Sequence, residues 1–253
     1  PAVGTVPAWW GWTLVGIGAT SGIIGVLLAL AQHDLKRLLA YHSVENIGII
    51  ALGIGLGILG VAAGSPLVAI LGFGGGLLHV LNHALFKGLL FLAAGAVQRA
   101  TGTRNLEQLG GLLKRMPVTG ACFLAGAMAI SGLPPWNGFV SEFMIYLGAF
   151  SGLVGSGRGA GILHSVAVPG VLVIGSLALI GGLAVACFAK ACGAVFLGEP
   201  RTALPAEARD PVRPMRGAML SLVLLCLLGG LAGPLALWAM VPALAIVTAF
   251  SPA

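Results

Sequence analysis

Residues 77–92 read LLHVLNHALFKGLLFL and set three ionisable side chains, His79, His83 and Lys87, inside an apolar run from Pro66 to Val97. The spacing i, i+4, i+8 places all three on one face of an α-helix, drifting about 40° per step and spread over ~12 Å of the axis. Asn82 lies beside them. The run is long enough to cross a bilayer, and charged groups at that depth are costly unless they face protein or water. A single histidine in such a place is most simply an interhelical hydrogen bond. Three titratable groups in one line read as a proton relay.

The rest of the composition agrees with a membrane setting. The 253 residues are 58% hydrophobic and only 8% charged, against about 25% charged in a soluble domain. Mean hydropathy is +1.05. The expected fold is all-α: a polytopic bundle of transmembrane helices in a lipid bilayer. The 41 glycines suit close helix–helix packing in lipid. A net charge of +6 is explained by basic loops at a membrane surface and gives no reason to expect nucleic acid. Cys122, Cys187, Cys192 and Cys226 lie in apolar stretches without a CxxC pair, so no iron–sulfur or zinc site and no cofactor is expected in this chain. The chain opens on Pro1 and shows no cleavable signal pattern, so it reads as a fragment of a longer protein. GLGILG at 55–60 matches GxGxxG, but no strand precedes it and the next acidic residue is Glu107, so it is not a dinucleotide site.

Outward from the central run, six spans are expected: about 9–31, 38–60, 66–97, 117–153, 166–197 and 217–241. Trp9, Trp10 and Trp12 open the first as an interfacial belt. Asn105 is a plausible N-cap for a short surface helix. The sixth passes Pro234, and the apolar tail 242–253 has no assigned place. The fourth is interrupted by SGLPPWNG, residues 131–138, whose prolines and glycines must break a helix. It is therefore either a hairpin of two spans or one span made of two half-helices. One broken span puts eleven of the thirteen Lys and Arg on the side that holds Lys36 and Arg37, leaving Arg158 alone opposite and Lys87 inside; a hairpin divides them seven to five. The positive-inside bias selects one discontinuous helix, with loops 32–37, 98–116 and 198–216 cytoplasmic and loop 154–165 outside, in a cell (inner) membrane. Discontinuous helices at membrane depth are where transporters bind ions.

Two more polar groups stand inside. Glu45, followed by Asn46, lies ~12 Å past Arg37 on the second span, too deep for a short side chain to reach the surface. It is either a relay group or a structural ion pair with Lys87. Glu142 lies in the first turns of the second half-helix, where the positive end of the dipole favours a carboxylate. It is either a proton-exit residue or a cap for backbone freed at the break.

AQHDLKRLLAYHSVENIGII (31–50), HVLNHALFKGLLFLAAGAV (79–97) and SGLPPWNGFVSEFMIYLGAF (131–150) resemble the antiporter-like membrane subunits shared by respiratory complex I, Mrp-type antiporters and membrane-bound hydrogenases. HSVENIGII looks most like the hydrogenase-4 and formate hydrogenlyase branch of that family. The resemblance covers about residues 10–200. It implies fourteen conserved helices in two inverted five-helix repeats, with this chain holding roughly the second half. It implies that His83 and Lys87 belong to a central relay helix, and that Glu142 hands protons to the outside half. Asn46 stands where some relatives carry His, and Glu45 beside it can substitute. The family's first broken helix with its Lys, and the Glu that partners it, have no counterpart in these residues.

The function expected from this reading is that of a membrane subunit in a proton-pumping redox complex. Protons would pass through Lys87, His83, His79, Glu45, Asn46 and Glu142. Redox centres would belong to a cytoplasmic arm, and other membrane subunits would complete the complex. The rivals are a subunit of a Na⁺/H⁺ antiporter and a non-conducting membrane anchor.

Overall fold

The computed structural model describes residues 7–155, 166–203 and 208–248. Among them are eight α-helices and no strand: α1 Ala8–Leu30, α2 Leu35–Ala62, α3 Pro66–Thr101, α4 Pro117–Ile130, α5 Asn137–Gly155, α6 Ala167–Phe196, α7 Arg213–Leu231 and α8 Gly233–Thr248. Local chemistry sets several of the ends. Asp34 caps α2, its Oδ1 accepting from the Lys36 and Arg37 amides at 2.9 Å each. Pro66 opens α3, and Gly102, left-handed at φ 73°, closes it. α1, α2, α3, α6 and α7 are each long and apolar enough to cross a membrane. The protein is a polytopic integral membrane protein.

α2 and α3 lie antiparallel in a constant register: Leu39 meets Lys87 and Asn46 meets His79. α4, with 14 residues, is about 21 Å long, short of a hydrocarbon core of ~30 Å. Its continuation is α5. Gly126 of α4 packs on Leu89 and Leu90 of α3. Asn137 and Ser141 of α5 then bond Asn82 and His79, and Ile145 and Gly148 reach Gly75 and Gly72. Numbers fall along α3 as they rise along α4 and α5. The two half-helices therefore follow one another down α3 as one antiparallel crossing, not side by side as a hairpin. The end of α7 seats on the break: a Cβ at Gly230 would lie 1.9 Å from the Pro135 carbonyl oxygen, so only glycine fits.

Three loops are tied into one belt. The Leu35 amide donates to Arg104 O at 2.9 Å and the Leu106 amide to His33 O at 2.8 Å. Arg104 pairs with Asp34 at 3.1 Å. Arg201 Nη1 donates to Leu106 O, and Lys114 Nζ to Glu199 Oε1, both at 2.8 Å. Asp210, in the segment before α7, caps α4 by accepting from the Val118 and Thr119 amides and the Thr119 hydroxyl at 2.8–3.1 Å. Loops 32–37 and 98–116 and the described parts of 198–216 consequently share one face. The Lys114 hydrogen bond and charge hold the exposed Glu199 carboxyl below its usual range. That tie is present at neutral pH and is lost as pH falls through the lowered value.

Three expectations change. The sixth span does not run from 217 to 241 through Pro234. α7 starts at Arg213 and ends at Leu231, and Pro234 is the second residue of α8. A proline inside a helix loses an amide donor and clashes one turn back, whereas in the first turn it costs nothing. The surface helix after Asn105 is a single 3₁₀ turn, Leu106–Gln108, with Asn105 accepting from the Glu107 amide. Residues 242–248, left unplaced from sequence, belong to α8. Residues 1–6, 156–165, 204–207 and 249–253 lie outside the described residues, so most of the loop expected outside and part of loop 198–216 are among them.

Candidate proton relay between two apolar layers

Two apolar clusters divide the bundle by depth. One gathers Leu35, Leu38, Leu39, Phe86, Leu90, Phe123 and Phe188 near the belt. The other gathers Val15, Ile49, Leu52, Leu56, Ile145 and Leu177 beyond it. Between them α2, α3 and α5 bring together fully buried His42, Glu45, Asn46, His79, Asn82, Asn137 and Ser141. Buried polar groups need partners, and these find most of theirs in one another; His42 Nε2, Glu45 Oε1 and Asn137 Oδ1 have none among the described residues. His42 Nδ1 pairs with Glu45 Oε2, one turn along α2. The His42 ring stacks on Phe188 of α6 at 4.5 Å between centroids. Asn46 Nδ2 donates to His42 O at 2.7 Å, and Asn46 Oδ1 faces His79 Nε2 at 3.0 Å. His79 Nδ1 faces Ser141 Oγ at 2.8 Å. Asn82 Nδ2 donates to Ser141 Oγ at 3.0 Å and to Asn137 O at 2.8 Å, and Asn137 Nδ2 donates to Asn82 Oδ1 at 3.1 Å.

Lys87 lies toward the belt. It is buried, donates to Leu39 O, and sits 5.6 Å from the Phe91 ring centroid. Glu45 bonds His42, so an ion pair with Lys87 is not its contact, although the two charges are within Coulombic reach. His83 is half-buried; its ring meets Phe86 edge-on, and its Nε2 has no hydrogen-bond partner among the described residues. The stripe of His79, His83 and Lys87 is thus not a hydrogen-bonded line along α3. The bonds run sideways, to α2 and α5.

Glu142 lies past the break. Its carboxylate sits over Gly132, whose φ of +63° and lack of a Cβ leave it room; an added Cβ would be 2.7 Å from Glu142 Oε2. It has no hydrogen-bond partner among the described residues and is not capping the freed backbone. It borders a cleft of about 300 Å³ between the break and α6, with Ser131, Phe139, Tyr146, Gly181 and Gly182. No group of three His, Cys, Asp or Glu side chains able to hold a metal ion occurs among the described residues.

Sequence reasoning missed His42, Ser141 and Asn137. His42 carried a signal, since it stands one helical turn before Glu45. Ser141 and Asn137 carried none, because their partners are 62 and 55 residues away.

The arrangement is a polar layer of titratable groups with apolar clusters on both sides and a cleft at Glu142. The model of the NADH:quinone oxidoreductase/Mrp antiporter transmembrane family matches residues 3–166. The chain belongs to this family. Formate hydrogenlyase subunit 3 of Escherichia coli is 45% identical over 231 residues, covering 91% of this chain and 37% of that protein. Hydrogenase-4 component B of the same organism is 46% identical over 223 residues, covering 88% and 32%. The chain thus spans about a third of the length of these relatives of the antiporter family. Among solved structures, the Mrp complex of a Dietzia species superposes with a TM-score of 0.76 at 24% identity over 95% of this chain and 48% of the other, which shows a shared fold.

Proposed function

We propose that this chain is the second half of a proton-translocating antiporter-like domain in a membrane subunit of a redox-driven proton pump. The pump is of the hydrogenase-4/formate hydrogenlyase or NADH:quinone oxidoreductase type. The observation that carries the reading is the buried polar layer. It joins His42 and Glu45 of α2 to His79 of α3 and, through Ser141, to α5, where the next residue, Glu142, stands beside an open cleft. A purely structural layer would be closed by hydrogen bonds throughout. Here Lys87 has only a carbonyl and an aromatic ring, and Glu142 has no hydrogen-bond partner among the described residues.

Protons enter from the belt side, which the excess of Lys and Arg makes cytoplasmic. They load on Lys87 and His83, pass His79 beside Asn46, with Glu45 holding the compensating charge, and leave from Glu142 toward the far side. Gaps wider than a hydrogen bond are bridged by water. The chain contributes no cofactor; electron transfer belongs to a cytoplasmic redox arm held by other membrane subunits. The membrane is the cell's inner membrane.

A second reading, a subunit of a Na⁺/H⁺ antiporter, is supported by the fold shared with the Mrp complex. The higher identity of the hydrogenase-type relatives favours the first. Sealed vesicles holding the full-length subunit and its partners separate them. The redox reading predicts proton uptake only with an electron donor and acceptor, with or without sodium. Proton movement driven by a sodium gradient alone would replace it with the antiporter reading.

A further inference from the structure

His79 has one nitrogen fixed and one free to titrate. Asn46 Nδ2 must face His42 O, since a carbonyl can only accept; flipping the amide would set two acceptors against each other. Asn46 Oδ1 is thereby turned to His79 Nε2 at 3.0 Å, and that nitrogen must carry a proton in every state. Any proton His79 gains or loses is therefore the one on Nδ1, which faces Ser141 Oγ at 2.8 Å.

The Ser141 hydroxyl has one hydrogen and three neighbours. Asn82 Nδ2 points one hydrogen at it, the other going to Asn137 O, so Ser141 Oγ accepts from Asn82 at 3.0 Å. Its own hydrogen has two possible acceptors, the Gly138 carbonyl at 3.0 Å and His79 Nδ1. All of these side chains are buried, and no competing solvent contact sets the choice.

Resting on the relay reading above, we propose that Ser141 is a two-position hydroxyl switch and a positioning residue of the relay. It donates to His79 Nδ1 when the ring is neutral. When the ring takes a proton at Nδ1, that N–H donates to Ser141 Oγ and the hydroxyl hydrogen turns to the Gly138 carbonyl. Each transfer forms the N–H bond at His79 Nδ1 and breaks the N–H or O–H bond of the relay group that gives the proton, and release reverses it. The groups on the packed helices that give or take it are His83 and Lys87 on α3, His42 and Glu45 on α2, and Glu142 on α5, next to Ser141. The charge on α3 thus reaches the first turn of α5 as a change of hydrogen-bond direction, one residue before Glu142.

The test uses the assembled complex with the full-length subunit labelled with nitrogen-15 at histidine, His79 being assigned by difference from a His79→Gln sample. Solid-state NMR should show neutral His79 protonated at Nε2 and bare at Nδ1. Asn46→Leu, which removes the lock, should give a mixture of tautomers. A neutral wild-type ring protonated at Nδ1 overturns the proposal. In pumping assays Ser141→Ala should lower proton translocation roughly tenfold or more, the scale of a lost charge-assisted hydrogen bond. Ser141→Thr, which keeps the hydroxyl, should stay within about twofold of wild type. Equal pumping by the Ala variant also overturns the switch, and should that variant not assemble, the tautomer measurement on wild type still decides. Tautomers are read without turnover, so a complex that pumps no protons refutes the relay itself and is distinguishable from a failed switch.

Discussion

Glu142 and Glu45 are both buried carboxylates, yet their surroundings ask different things of them. Glu45 is tied to His42 under the Phe188 ring. Removing one partner of a buried pair costs ~3–5 kcal/mol, because the other charge is left uncompensated. His42→Leu should therefore lower the thermal stability of the solubilised protein sharply, and adding Glu45→Leu should recover much of the loss. An unchanged melting temperature in the single variant would mean the pair carries no charge. Glu142 has no comparable tie, so Glu142→Gln should fold, assemble and transfer electrons while proton translocation is largely lost. Glu142→Lys should restore part of it, limited by a cation placed near a helix N-terminus. Normal pumping by Glu142→Gln would remove the exit from the path. His79, Lys87, Glu45 and Glu142 could be found from sequence because a charge in an apolar run is expensive and conspicuous. Ser141 could not, because a serine in such a run costs little and its meaning lies in a partner on another helix.

The broken span is the element on which direction depends. In one discontinuous crossing, the start of α4 and the end of α5 lie on opposite faces of the membrane; in a hairpin they share one. Cysteines at Arg115 and Val154, both exposed, in a background lacking the native cysteines, should be labelled by an impermeant reagent from opposite sides. Labelling from the same side would overturn the crossing and the order of the relay with it. Asp210 supports the start of this span from 91–92 residues away. Asp210→Ala should cost about 1–2 kcal/mol, the usual worth of a lost helix cap, with Asn retaining part of it; no change in unfolding would deny it the role. The break itself was legible, since two adjacent prolines cannot sit inside a helix, and the charges, which fall eleven to one only for a single crossing, are the sequence's argument for one. The Asp210 cap was not, because it joins two loops far apart in sequence. The end of α7 was also missed. Apolar residues continue on both sides of Pro234, and hydropathy alone does not register that Gly230 must seat on the break.

Across the whole molecule, the belt, the polar layer and the cleft succeed one another from one face toward the other. Lys87 stands between the belt and the layer, and no carboxylate pairs with it among the described residues. A lysine at such depth is disfavoured by ~2.5–3.5 kcal/mol on insertion scales, and its contacts are one carbonyl and one aromatic ring. A methionine there would be as well packed and cheaper to bury. Under the proposed relay, the proton it carries accounts for its presence. The decisive measurement is the number of protons moved per electron in sealed vesicles containing the full-length subunit and its partners, compared between wild type and Lys87→Met. The predicted result is an assembled complex, equally or more stable, that transfers electrons and moves no protons. Normal pumping in Lys87→Met would contradict the relay.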